Sequence, residues 1–459
     1  MGAIYKTILV NQICEEQRWD VPFNVELMNL YKNQAQVVTI EEISSHLTNG
    51  ATPLGAQFLE EGVHFYRAND IKRYNLDYFN HKHITKEQSQ TLKRSILKSG
   101  DIIFTIKGKI GDVAVFPENQ EESNINQDNA LIRLKKGYDP FYFCGIFNSK
   151  FGLNQVKAFA TETINPFLGI GNLKKLRLPI LDKQKQKAIS DKVKKTIGLE
   201  LKSLSVLEQA QNLFYQKLGI DFSRIQKEKS FSVKLSDFEE DDLWTPSFSY
   251  PLYVNTLKAI QQKWQTVPLG EIATIKKGDE VGSDNYNKYL DKKDSDVPFI
   301  RTSDLVNYEA DQFPDFYIPE EIYKELGQDL KAGDVLFTKD GKIGMSGIIT
   351  KSDRVIISSG IARLRLKAEA KKFNLTPEYL FILLSLKETG LYSAIRRTVI
   401  ASTIPHLREE RLKEFKIPVL DKTSIEEITK LVKEAFELKD EKKKLIKEVR
   451  EEIDSYFDI

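Results

Sequence analysis

Two stretches of the chain carry apolar residues at a spacing of three and four over many helical turns. The first runs from about Lys183 to Leu218, with Ile189, Val193, Ile197, Leu201, Leu204, Leu207, Phe214 and Leu218. The second runs from about Thr423 to Phe457, with Ile425, Ile428, Val432, Ala435, Ile446, Val449, Ile453 and Tyr456, and with Lys439 and Lys442 in its seam. Charged residues fill the other positions, no proline interrupts either stretch, and Gly198 is the single glycine. This pattern predicts two long coiled-coil helices, each about 50 Å long at 1.5 Å rise per residue. A lone helix cannot bury such a stripe. The two are therefore expected to pair with each other, rather than on their own globular halves or across a homodimer.

The rest of the pattern is of short apolar runs broken by turn residues, and it occurs twice. Gly100-Asp-Ile-Ile-Phe-Thr-Ile-Lys-Gly-Lys-Ile-Gly111 returns 233 residues later as Gly333-Asp-Val-Leu-Phe-Thr-Lys-Asp-Gly-Lys-Ile-Gly344. Aliphatic exchanges aside, only the central pair differs. Each copy predicts a turn, a strand, a tight lysine-bearing loop and a second strand, Val113 to Phe116 or Ser346 to Thr350. Matching segments flank both copies in the same order. Val38-Thr-Ile-Glu-Glu-Ile43 and Val267-Pro-Leu-Gly-Glu-Ile272 come first. Strand-like runs then end in Arg67-Ala-Asn-Asp-Ile71 and Arg301-Thr-Ser-Asp-Leu305. After the hairpin come strands at Ala130 to Lys135 and Ala362 to Lys367, and helical segments at Tyr142 to Asn148 and Tyr379 to Leu386. Polar turns follow at Thr161 to Pro166 and Ala401 to Pro405, and the halves close with Leu176 to Asp182 and Phe415 to Asp421. Trp-containing lead-ins, Arg18 to Phe23 and Leu243 to Phe248, precede the halves. The segments Lys72 to Lys98 and Val306 to Lys331 share little identity, as expected for divergent recognition inserts or drifting loops. The chain is thus expected to be a tandem duplication of an α+β unit, far too long to be a solenoid repeat.

Composition narrows the function. Lysine and arginine number 68 against 66 acidic residues, a formal charge of +2, so any nucleic-acid contact requires local patches. Cys14 and Cys144 are far apart and form no CxxC, which speaks for a reducing cytoplasm and against a disulfide or thiolate–zinc scaffold. No stretch approaches a membrane span, and no signal peptide is expected.

Catalytic signatures are missing. His81-x-His83 lacks further ligands at metal-like spacing, so two solvated histidines and no metal are expected. Phe167-Leu-Gly-Ile-Gly171 matches a short methyltransferase pattern without its Asn/Asp-Pro-Pro-aromatic partner. There is no phosphate-binding P-loop, and no Ser-His-Asp or Cys-His arrangement can be assembled from five histidines.

The ordered pair of Val-x-Leu/Ile-x-Glu-Ile, Arg…Asp, Gly-Asp-x-x-Phe-Thr…Gly-Lys-Ile-Gly and Leu/Ile-x-x-Pro-x-Leu-Asp segments, each before a long helix, resembles the specificity subunits of type I restriction–modification systems. The resemblance covers nearly the whole chain. It departs at Leu181-Asp-Lys-Gln and Leu420-Asp-Lys-Thr, where the family often has a proline-rich exit followed by Glu-Gln. It implies two target-recognition domains of mixed α/β structure, residues 1–182 and 221–421. Helices at 183–220 and 422–459 would pair as an antiparallel coiled coil through Ile189, Val193, Ile197, Leu204, Ile425, Ile428, Val432, Ile446, Val449 and Ile453. It further implies a non-catalytic cytoplasmic subunit that reads a split double-stranded DNA site, with the helices setting the gap. Two adenine methyltransferase subunits would supply S-adenosylmethionine chemistry, and restriction (endonuclease and translocase) subunits would use ATP and Mg, with no cofactor on this chain. A type IIB-like system, an enzyme with a diffuse site and a coiled-coil scaffold without DNA contact are the competing readings. The residues expected at DNA are Arg67, Lys107, Lys109, Thr163, Asn165, Arg301, Thr302, Ser303, Lys339, Asp340, Lys342, Ser402 and Thr403: cations for phosphates, and polar groups for phosphates or base edges.

Overall fold

The computed structural model describes residues 36–457, apart from 56–57, 119, 162–165, 240–241, 290–295 and 402–403. The first lead-in lies outside these residues. The chain packs as two compact units, Met1–Glu200 with Lys442–Ile459, and Leu201–Glu441. Each unit therefore takes a part of both long helices.

In the first unit, β1 (Gln36–Thr39) pairs antiparallel with β11 (Arg177–Ile180), joining the start and the end of the globular part. A four-stranded sheet has the order β2 (Ser44–Asn49), β10 (Asn129–Leu134), β7 (Ile102–Thr105), β8 (Val113–Val115). A second sheet places β3 (Val63–Tyr66) between β6 (Lys82–Ile84), antiparallel, and β9 (Ser123–Ile125), parallel. A short ribbon, β4 (Ile71–Lys72) with β5 (Asn75–Leu76), follows β3. The helices are α1 (Lys86–Thr91), α2 (Pro140–Asn148), α3 (Lys150–Phe159) and the long α4 (Lys183–Leu218). Proline at the start of α2 and the Asp139 carboxylate, which accepts from Phe141 N at 2.9 Å, fix where that helix begins.

The second unit repeats this plan. β12 (Thr266–Pro268) pairs with β24 (Lys416–Pro418). The larger sheet runs β13 (Ala273–Lys277), β21 (Ile361–Leu366), β18 (Val335–Thr338), β19 (Ser346–Ile348). The smaller places β14 (Val297–Ile300) between β17 (Phe316–Ile318) and β20 (Ile356–Ile357), and β15 (Leu305–Val306) with β16 (Glu309–Ala310) makes the ribbon. β22 (Val399–Ala401) pairs with β23 (Ile404–His406). The helices are α5 (Pro251–Lys263), α6 (Glu320–Leu326), α7 (Pro377–Ser385) and the long α8 (Lys422–Ser455).

The duplication reaches into the segments that looked divergent. Both carry a ribbon whose turn holds a tyrosine at positive φ, Tyr74 at 66° and Tyr308 at 67°. Both then have a strand and a short helix, β6 with α1 and β17 with α6. The backbone plan is shared although the side chains on it differ.

Paired anchors recur as well. Arg133 and Arg365 bind the aspartates of the two Gly-Asp turns, Asp101 at 2.6 Å and Asp334 at 2.7 Å. Tyr142 and Tyr379 donate to the carbonyls of Pro179 and Pro418 at 2.8 and 2.9 Å. A Cβ on Gly50 or Gly278 would lie 2.1 Å from the carbonyl oxygen of Ile125 or Ile357. Gly50→Ala and Gly278→Ala are each expected to cost about 1–3 kcal/mol by forcing backbone apart, measured as a lower urea midpoint.

The predicted limits of the long helices lie close to the observed ones. In α4 the buried positions include Ile189, Val193, Thr196, Ile197, Glu200, Ser203, Leu207, Ala210, Phe214 and Leu218, while Leu204 is only half-buried. In α8 they include Ile425, Ile428, Val432, Ala435, Lys439, Lys442, Ile446, Val449 and Ile453, a heptad with charge at its centre. Within the first unit Lys192 meets Glu452 at 2.7 Å and Lys442 meets Glu200 at 2.5 Å. Within the second Lys217 meets Glu427 at 2.8 Å, and the fully buried Lys439 lies 3.7 Å from Glu309. Among the described residues no helix is long and apolar enough to cross a membrane.

Candidate nucleic-acid interface

The lysine-bearing loops close the hairpins β7–β8 and β18–β19. Gly111 and Gly344 sit at φ 88° and 93°, a region that favours glycine, which accounts for the final residue of the repeated motif. Thr105 and Thr338, of the two Phe-Thr pairs, accept the N–H groups of Asp112 and Met345, each at 2.9 Å. These bonds hold the loops at both ends.

Each loop is extended by a segment that arrives from much later in the chain. In the first unit Ile106 N donates to Asp128 O at 2.9 Å, Leu168 N to Ile106 O at 2.8 Å, and Gly108 N to Pro166 O at 3.2 Å. Lys107 and Phe167 are thereby cross-strand partners. In the second, Lys339 N donates to Gly360 O at 2.8 Å, Leu407 N to Lys339 O at 2.8 Å, and Gly341 N to Pro405 O at 3.0 Å. There the partners are Asp340 and His406. The main-chain bonding is the same, and the side chains on it differ. Lys107 is exposed and Phe167 is 42% exposed. His406 Nδ1–H donates to Asp340 Oδ1 at 3.0 Å, and Lys339 Nζ lies 2.9 Å from Asp340 Oδ2 and 3.5 Å from Glu409 Oε1. Beside this second ribbon is a cavity of about 280 Å³, lined by Lys277, Lys339, Asp340, Val399, His406, Leu407, Arg408 and Glu409. Ile400 of β22 and Ile404 of β23 are well exposed.

The repeated lysines of the motif diverge in setting. Lys109 Nζ is 2.9 Å from the buried Asp112, which also takes Arg73 Nε at 3.0 Å. Met345 stands where Asp112 does, and Lys342 is exposed. The Arg…Asp motif closes a turn in both units. Arg67 and Arg301 N–H groups donate to Asp70 and Asp304 at 2.8 and 2.9 Å, and the guanidinium groups return to the same carboxylates. Burial pushes the Asp70 carboxyl up, against the Arg67 hydrogen bonds that pull it down. Arg301 also binds Asp315 at 2.6 Å and lies 4.1 Å over the Phe316 ring. Both arginines are thus engaged in holding their turns. Ser303 is exposed and donates to Asp304 Oδ1 at 3.2 Å, while a Cβ on Gly360 would come within 2.9 Å of the Thr302 methyl carbon.

The structure therefore brings Lys107, Lys339 and Asp340 onto ribbons built with the predicted polar turns. Thr163, Asn165, Ser402 and Thr403, the residues chosen in those turns, lie outside the described residues. Phe167, His406 and Glu409 were missed. The paired Pro-x-Leu steps, Pro166-Phe167-Leu168 and Pro405-His406-Leu407, were the available signal.

Comparison with known proteins places the chain in a family. The model of the type I restriction modification DNA specificity domain matches residues 32–209 and again 261–450. The MjaIX specificity subunit of a type I restriction enzyme from Methanocaldococcus jannaschii is 21% identical over 331 residues, 71% of this chain and 70% of that protein. The EcoBI specificity subunit from Escherichia coli is 26% identical over 142 residues, 30% of this chain and 29% of that one. The crystal structure of a type I restriction–modification S subunit from M. genitalium aligns over 93% of this chain and 96% of its own, at 15% identity and a TM-score of 0.36. With two copies of the domain model covering most of its length, in the order of its two halves, the chain belongs to the type I restriction–modification specificity family.

Proposed function

We propose that this chain is the sequence-reading subunit of a type I restriction–modification complex, in which each unit reads one half of a bipartite double-stranded DNA site. The observation that carries this reading is the repeated ribbon, alike in main-chain bonding and unlike in exposed side chains. Two readers of different half-sites need that combination. Base edges are read by side chains, and phosphate contacts only position the protein. The long helices would run antiparallel as a coiled coil and set the gap between half-sites. The order of the contacts supports this, since Lys192, Glu200 and Lys217 meet Glu452, Lys442 and Glu427 in reverse sequence. Two adenine methyltransferase subunits and the restriction subunits would dock on this frame in the cytoplasm. They would bring S-adenosylmethionine, ATP and Mg, and the chain itself would catalyse nothing.

Co-expression with its methyltransferase partner, followed by sequencing of genomic methylation, tests the proposal. A split motif with methylated adenine in each half is expected, together with no methyl transfer by the purified chain alone. Methylation without a split motif, or activity of the isolated chain, would refute it. The lysines separate by setting. Lys107→Ala is expected to lower DNA affinity and reduce the salt slope by about 1. Lys109→Ala is expected to lower stability through Asp112 while leaving that slope unchanged, as read by titrations at several salt concentrations.

A further inference from the structure

The first unit holds three of the chain's five histidines in one cluster. His64 on β3 and His83 on β6 are direct cross-strand partners, so their side chains share a face of the sheet. His81 lies two residues before His83, and the two-residue period of an extended chain returns it to that face. Ring centroids are 4.3 Å apart for His64 and His81, 4.9 Å for His81 and His83, and 5.1 Å for His64 and His83. One nitrogen from each ring lies within 4.8 Å of the others. The sequence spacing showed only His81 and His83. The third imidazole comes through strand pairing, and His81 is 9% exposed rather than solvated.

Two of the ring nitrogens have no hydrogen-bond partner although they are buried, His81 Nε2 and His64 Nδ1. Leaving such a group unpaired is unfavourable. The opposite nitrogens of the same two rings are attended by oxygen. His81 Nδ1 is 3.1 Å from the Asp77 carbonyl, which accepts its proton and leaves Nε2 with the lone pair. His64 Nε2 is 3.6 Å from the exposed Glu121 carboxylate. Oxygen behind one nitrogen and an open lone pair on the other is the outer-shell arrangement of metal-bound histidine.

We propose that His64, His81 and His83 bind one divalent transition-metal ion of the zinc class, which ties β6 to β3 in the first unit. Three imidazoles without thiolate or clustered carboxylates suit zinc and its neighbours rather than magnesium or calcium. A tetrahedral ion with nitrogens about 2.0–2.1 Å away would sit at the centre of the cluster after small rotations of the partly exposed His64 and His83 rings, with water in the fourth position. The site belongs to the first unit alone. In the second, Pro298 and Tyr317 take the cross-strand places of His64 and His83, and Asp315, in the place of His81, is bound to Arg301. The shared fold therefore does not demand the three histidines.

The full-length chain, freed of any affinity tag and stripped with chelator, is dialysed against zinc and assayed for bound metal. One zinc per chain is expected, with a higher thermal midpoint than in chelator. Cobalt in place of zinc should give the visible bands of a tetrahedral site. His83→Gln and, as a second variant, His64→Gln should lose the metal, the cobalt bands and the thermal gain, while melting in chelator like the parent. His46→Gln and His406→Gln should keep all three. Retention of the same zinc by His83→Gln and His64→Gln, or no zinc retained by the parent, would overturn the assignment. None of these measurements involves DNA, so the outcome stands apart from the proposed reading function.

Discussion

Replacing Glu200 with alanine will destabilise the first unit by about 3–5 kcal/mol, the usual cost of stranding one member of a buried ion pair. Glu200 and Lys442 are both buried and 2.5 Å apart, at positions where the heptad would otherwise hold aliphatic side chains. Removing the carboxylate takes from the buried Lys442 ammonium the anion 2.5 Å away, in a place where water is scarce. The double variant Glu200→Leu with Lys442→Met removes both charges and fills the space, so it should recover most of the loss. The contrast lies in Lys192 and Glu452, which are 36% and 23% exposed; breaking that pair should cost no more than about 1 kcal/mol. Urea unfolding of the three variants, monitored by the first transition, decides the matter. A loss at Glu200→Ala no greater than at Glu452→Ala would mean that water reaches the pair.

The second large effect is expected at the ribbons, and it should be confined to one half of the DNA site per substitution. Phe167→Ala acts on the first ribbon, and His406→Ala acts on the second. A lost base-edge contact is worth about 1–3 kcal/mol of discrimination, or roughly 5- to 150-fold. Methylation maps from cells carrying each variant should show one half-motif relaxed and the other intact. Equal loss at both halves would instead point to damaged assembly, and no change would remove the ribbons from the interface.

What could be read from sequence was whatever neighbouring residues encode. The heptads of Lys183 to Leu218 and Thr423 to Phe457, the Gly-Asp and Gly-Lys-Ile-Gly turns and the order of segments all follow from local periodicity and turn chemistry. They give the duplication and the hairpins. What escaped depends on register between distant segments. The pairing of Lys107 with Phe167, or of Asp340 with His406, spans about 60 residues and leaves no periodic trace. His64 opposite His83, 19 residues apart, likewise leaves no periodic trace. Arg67 and Arg301 looked like ligand-seeking cations because their spacing from Asp70 and Asp304 did not disclose that each pair closes its own turn. Lys439 and Lys442 were visible in the seam, but their partners Glu309 and Glu200 were not.

The bonds that build each ribbon run between amide and carbonyl groups at 106–108 and 166–168, and at 339–341 and 405–407. No side chain at Lys107, Phe167 or His406 is needed to form them. Substitutions there are consequently expected to be close to neutral for folding and, under the proposed reading, free to alter which bases are recognised. That uncoupling is a physical basis for evolvability. A lineage can drift through new specificities by single replacements, without passing through unfolded ancestors, and the two copies can diverge independently.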